Sequence, residues 1–83
     1  MLSNQYLELL EQVYFPTTFH ALNYENDREV LVVTLRALLD LKYVKLQENK
    51  EGTFFDIATV DNFENENYYL VITKNGLKAS LSA

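Results

Sequence analysis

The chain has no cysteine. Disulfide bracing, thiolate nucleophiles and cysteine-bound zinc are thereby excluded, and a reducing compartment is the fitting environment. Histidine occurs once, at His20. A nucleophile–histidine pair would have to use Thr17 or Thr18, both too close in sequence to be convincing, or Ser3, Ser80 or Ser82 near the ends. Glycine and proline number 2 and 1. Gly52 and Gly76 stand alone, so a glycine-rich phosphate loop is ruled out, and the turns must rely on Asn, Asp and Ser. Positive charge is scarce, with seven Lys and Arg against twelve Asp and Glu, for a net charge of −5. Such a field repels nucleic-acid backbones and acidic membranes. No segment approaches a membrane span. Met1 to Gln5 lacks the positive start of a secretion signal, so the cytoplasm is the expected location.

The remaining composition is that of a folded globule: 83 residues, enough for one domain, of which 48% are hydrophobic and 13% aromatic. Six Tyr and five Phe supply large buried areas per side chain. A body this small has a limited core, and oligomerisation is the common supplement where disulfides are missing.

Helical periodicity comes first along the chain and strand alternation after it. Residues 3–15 read as a helix capped by Ser3, with Tyr6, Leu7, Leu10, Val13 and Tyr14 on one face and Pro16 as its stop. Thr17 or Thr18 can cap a single turn carrying Phe19 and Leu22. Asn23 to Asn26 is a turn, and Asn26 stands at capping-box distance from Glu29. Asp27 to Leu41 is the main helix. Val30, Leu31, Leu35, Leu38 and Leu41 form its core stripe, and Arg28, Glu29, Val32, Val33, Arg36 and Asp40 lie on the other side. Arg36 and Asp40 are spaced to pair. Strands follow at Tyr43–Gln47, Thr53–Val60 and Asn67–Thr73, separated by a turn at Glu48–Gly52 and an acidic connection at Asp61–Glu66. Tyr68 and Tyr69 point to opposite faces. The tail is open to two readings. Thr73 caps a last helix with Leu77 and Leu81 inward, or Asn75-Gly76 turns a hairpin into a fourth strand.

The run Leu35-Arg36-Ala37-Leu38-Leu39-Asp40-Leu41-Lys42-Tyr43-Val44, then hairpin strands, then Tyr69-Leu70-Val71-Ile72-Thr73-Lys74-Asn75-Gly76-Leu77, resembles the winged-helix superfamily. In that family a recognition helix runs through a short turn into the first wing strand. The last wing strand often ends in Thr, two residues and Gly, opening a helix. The resemblance implies an α+β domain over residues 1–83, with N-terminal helices, a three-stranded antiparallel β-meander and a short C-terminal helix at Thr73. Three features depart from the pattern: Lys42 stands where the family often has Gly, the helix before the recognition helix is one turn at most, and Thr53–Val60 is an additional strand.

For DNA, the resemblance offers Arg28 and Arg36 on the helix and Lys50 on the wing. Glu29, Asp40, Glu48 and Glu51 offset them, and phosphate contacts supply most non-specific affinity, so charge disfavours a nucleic-acid role. The same helix face suits a protein contact: Arg28, Glu29, Val32, Val33 and Arg36, with Leu39 at the border, make an apolar patch rimmed by charge. Core burial of the valines is the competing reading. Asp61–Glu66 has Phe63 and Glu66 where a calcium loop needs an oxygen donor and Gly, so it reads as a solvated acidic turn. No catalytic, metal or cofactor residues and no small-molecule substrate are indicated. The expectation is a non-enzymatic, winged-helix-like interaction or regulatory module, a homodimer or a protein-docking unit. A winged-helix transcription regulator binding DNA is the alternative.

Overall fold

The computed structural model describes residues 3–24 and 27–82. Their order is α1 (Asn4–Gln12), a single 3₁₀ turn (Phe19–Ala21), α2 (Arg28–Asp40), β1 (Val44–Lys50), β2 (Thr53–Ile57), β3 (Tyr68–Ile72) and α3 (Lys74–Leu81). This is the expected α+β class, with helices ahead of a three-stranded antiparallel sheet and a helix behind it. The strand order is β2-β1-β3. The first strand is therefore central, where a meander would place the second. The long connection from β2 carries the chain across to the far side of β1, with Leu46 facing Ile57 on one side and Leu70 on the other.

Helix α1 ends three residues short of the expected Phe15. The Thr17 hydroxyl donates to the Gln12 carbonyl at 3.0 Å, satisfying one of the groups a helix C-terminus leaves open. Residues 13–17 then run beside β3. Ile72 N donates to Val13 O at 2.8 Å, and Thr17 and Leu70 exchange backbone bonds of 2.9 and 2.8 Å. This short pairing gives β3 a neighbour on each side. Leu9, Leu10 and Val13 enter the core, while Tyr14 stays outside with its hydroxyl 3.0 Å from Ser80.

Helix α2 starts at Asp27, whose carboxylate accepts from Val30 N at 2.9 Å. The proposed Asn26 cap lies outside the described residues. The core-facing stripe is Leu31, Leu35, Leu38 and Leu39. Two residues assigned to that stripe are displaced from it, Val30 at 36% exposure and Leu41 at 48%. The reason is rotational: Leu39 is buried against the sheet, and turning it inward turns Val30 and Leu41 out.

Strand β1 runs three residues beyond Gln47. Lys50 pairs with Thr53, leaving Glu51 and Gly52 as a two-residue turn with φ of 54° and 88°, the positive angles that tight hairpins use. Asn49 Oδ1 accepts from Gly52 N at 2.9 Å. Strand β2 stops at Ile57 and forms the outer edge of the sheet. Phe54 meets Tyr69 edge-on at 5.2 Å on one face, and Phe55 is exposed on the other. Tyr68 packs against the core from the face opposite Tyr69.

The tail is a helix, not a fourth strand. Thr73 Oγ1 accepts from Gly76 N at 3.1 Å and donates to Lys42 O at 2.6 Å, and Thr73 N donates to Tyr43 O at 2.9 Å. Leu77 and Leu81 do not turn inward; both are exposed. The buried contact belongs to Gly76, whose Cα sits against the Tyr43 carbonyl.

Two glycine exchanges at this corner should act in opposite directions. Lys42 has φ of 63°, a conformation costing a residue with a Cβ about 1–2 kcal/mol. Lys42→Gly relieves that cost against roughly 0.5–1 kcal/mol of added unfolded-state freedom, so a net gain of about 0.5 kcal/mol is expected. Gly76→Ala gains about 1 kcal/mol of helix propensity but drives a Cβ into the Tyr43 backbone. A net loss of roughly 2 kcal/mol is expected. Urea denaturation midpoints check both signs.

Candidate functional site

The outer side of α2 divides into two flanks with different fates. On the first, Arg28, Val32 and Arg36 are met by the connection between β2 and β3. Arg28 reaches Glu64 at 3.3 Å and Arg36 reaches Asp61 at 3.5 Å. The expected Arg36–Asp40 pair gives way to this longer-range one. Each guanidinium also lies over an aromatic ring, Arg28 5.1 Å from the centroid of Phe19 and Arg36 5.5 Å from that of Phe63.

The acidic connection is a turn with Asp61, Asn62, Asn65 and Glu66 exposed, as expected, but Phe63 pins it to the core. Phe63 is 3% exposed and packs 6.0 Å from Phe19. Asn65 N donates to Asn62 O at 2.9 Å, closing a turn on either side of it. Magnitudes decide what holds the loop. Exposed ion pairs are worth about 0–1 kcal/mol each and cation–π contacts about 0.5–1 kcal/mol. A buried Phe is worth about 3–5 kcal/mol when truncated to Ala. Phe63 is the anchor, and the arginines are secondary. One apolar ring inside a polar hexapeptide was the sequence signal for this docking. What remains between loop and helix is a shallow depression of about 510 Å³ lined by Val32, Arg36 and residues 61–65.

The second flank is bare. Val33 is 67% exposed, and Val30 and Leu41 are exposed with it. At about 100° per residue, Val30, Val33, Ala37 and Leu41 fall within about 80° of arc and form one apolar row along the helix. Glu29 and Asp40 border it, both exposed and neither in an ion pair among the described residues. Of the five residues expected to form a partner surface, Arg28, Glu29, Val33 and Arg36 are exposed, the two arginines while paired with the loop, and Val32 is half-buried under it. Leu39, placed at the border of that surface, is core. Lys50 belongs to the β1–β2 hairpin, where it pairs with Glu48 at 3.3 Å.

The sheet's outer face holds the chain's perturbed carboxylate. Gln47 Nε2 donates to Asp56 Oδ1 at 2.9 Å, and Lys45 Nζ lies 3.3 Å from the same oxygen. The Gln47 bond first, and Lys45 second, hold the Asp56 carboxyl below its ordinary 3.8. His20 is exposed with its ring edge-on to Phe19. Among the described residues no three His, Asp or Glu side chains gather as a metal site would require.

Two outcomes follow. Phe63→Ala should cost about 3 kcal/mol, while Arg36→Ala should cost less than about 1 kcal/mol, both read from denaturation. Asp56, depressed in the fold, stabilises above its unfolded value and loses that contribution as pH falls through the lower folded value. A carbon-detected NMR titration should place it below 3.8, and Asp56→Asn should flatten the acid limb of the stability curve.

No protein-family model matches the chain, and neither a curated protein nor a solved structure matches it, which leaves the geometry of α2 as the ground for a functional reading.

Proposed function

We propose that this chain is a small non-enzymatic module of winged-helix type that works by dimerising or by docking on a protein partner through the outer face of α2. The winged-helix part rests on α2 passing through the Leu41–Lys42 turn into β1, and on Thr73 and Gly76 opening α3 at the end of β3. The observation that carries the docking part is the row of exposed Val30, Val33 and Leu41 with half-buried Ala37 among them. A contiguous exposed apolar strip bordered by charge is the pattern of interaction surfaces, and here it lies beside a flank that the protein covers for itself.

A DNA-binding role is disfavoured on the same geometry. Arg28 and Arg36 are paired with Glu64 and Asp61, Lys50 with Glu48, and the net charge is −5. Few cations remain to replace the counterions that duplex binding releases.

Val33→Glu is the clean test, because Val33 is exposed and its exchange leaves the core intact. The expected result is an unchanged circular dichroism spectrum together with loss of concentration-dependent mass in light scattering, or loss of a protein partner recovered by affinity capture. A wild-type protein that stays monomeric at high concentration and retains nothing sinks the reading. A duplex shift that falls with salt and vanishes in the Arg28→Ala, Arg36→Ala double variant does the same in favour of DNA.

A further inference from the structure

Resting on that reading of α2, we infer that the row of Val30, Val33, Ala37 and Leu41 seats a cationic amphipathic helix of another protein rather than a second copy of this chain. Charge complementarity selects the partner. Glu29 and Asp40 border the row on one side. On the other, the row meets buried Thr34, whose hydroxyl lies 3.4 Å from that of Tyr24. The apolar row is thus bordered on one side by two exposed carboxylates, Glu29 and Asp40, neither of them in an ion pair among the described residues. The nearby Arg36 is neutralised by Asp61. A helix with an apolar stripe and Lys or Arg along the border facing Glu29 and Asp40 matches this surface on both counts.

A second copy does not match it. Antiparallel packing with Val33 over Ala37 sets Glu29 beside Asp40 of the other copy and Arg36 beside its own equivalent. Parallel packing aligns the helix dipoles and brings no opposite charge to either border. Each copy carries −5, which adds repulsion. A single peptide helix needs only a row of anchors.

The test uses the whole chain and two synthetic helical peptides about as long as α2. One carries Leu at i, i+3, i+4 and i+7 with Lys on the borders, and its twin replaces every Lys by Glu. Binding is read by fluorescence anisotropy at low and high salt and mapped by amide chemical shifts. The Lys peptide should bind, shift the amides of Val30, Val33, Ala37 and Leu41, and weaken with salt. Val33→Glu should reduce affinity by more than about tenfold, and the Glu29→Lys, Asp40→Lys double variant by about fivefold. Equal binding of both peptides at α2 overturns the charge inference and leaves the docking reading standing. A dimer that Val33→Glu dissociates, with no peptide shifting α2, names the second copy as occupant and overturns the inference alone. No shift on α2 from either peptide, in a strictly monomeric protein, removes both.

Discussion

The corner where Thr73 meets Lys42 and Tyr43 holds the two halves of this protein to one another. One hydroxyl accepts from Gly76 and donates to Lys42, and the adjacent amide takes the Tyr43 carbonyl. These bonds tie the exit of α2 to the entry of α3 and end the β1–β3 ladder. With β3 fixed beside β1, the chain leaving β2 must cross over to reach it. That crossing lays residues 61–65 along α2. The corner also requires a backbone without a Cβ at Gly76 and a left-handed residue at Lys42. The first requirement is met by glycine and the second by a lysine under strain, so the geometry outweighs the local preference of residue 42.

Periodicity revealed the elements but not their rotation or their neighbours. The amphipathic pattern placed both long helices and all three strands, because hydrophobic spacing is a local property. It assigned Val30 and Leu41 to the core, since a helix with apolar residues on most of its circumference does not say which arc the sheet will take. The strand order was not legible either. Whether the third strand joins the second or the first depends on pairing across more than twenty residues, with Leu46 facing Leu70. The Thr73 cap and its glycine were legible through family resemblance, whereas alternation in residues 77–82 pointed to a strand. Phe63 was visible as an aromatic in an acidic run, but its burial depends on the surface that Phe19 and α2 offer.

Electrostatically, the protein spends much of its positive charge internally. Arg28, Arg36, Lys45 and Lys50 each face a carboxylate of the same chain. Each of these pairs is exposed and contributes little to stability. Their larger effect is on what the surface presents outward. The acidic loop neutralises the helix flank that a polyanion would seek, and the adjoining flank keeps its apolar row with carboxylates along one border. The two sides of α2 thus differ in chemistry because one of them has been closed by Phe63.

The position of β2 at the rim of the sheet has a separate consequence for the molecule as a colloid. Its outer edge has no strand partner in the sheet, and Phe54 and Phe55 stand exposed on its two faces. Such a border is a template for strand-on-strand growth unless charge interrupts it. Asp56 is the charge within that strand, and Glu51 the one at the turn leading into it. Strand-on-strand pairing at this edge is therefore opposed by the few ionised groups of one short ribbon.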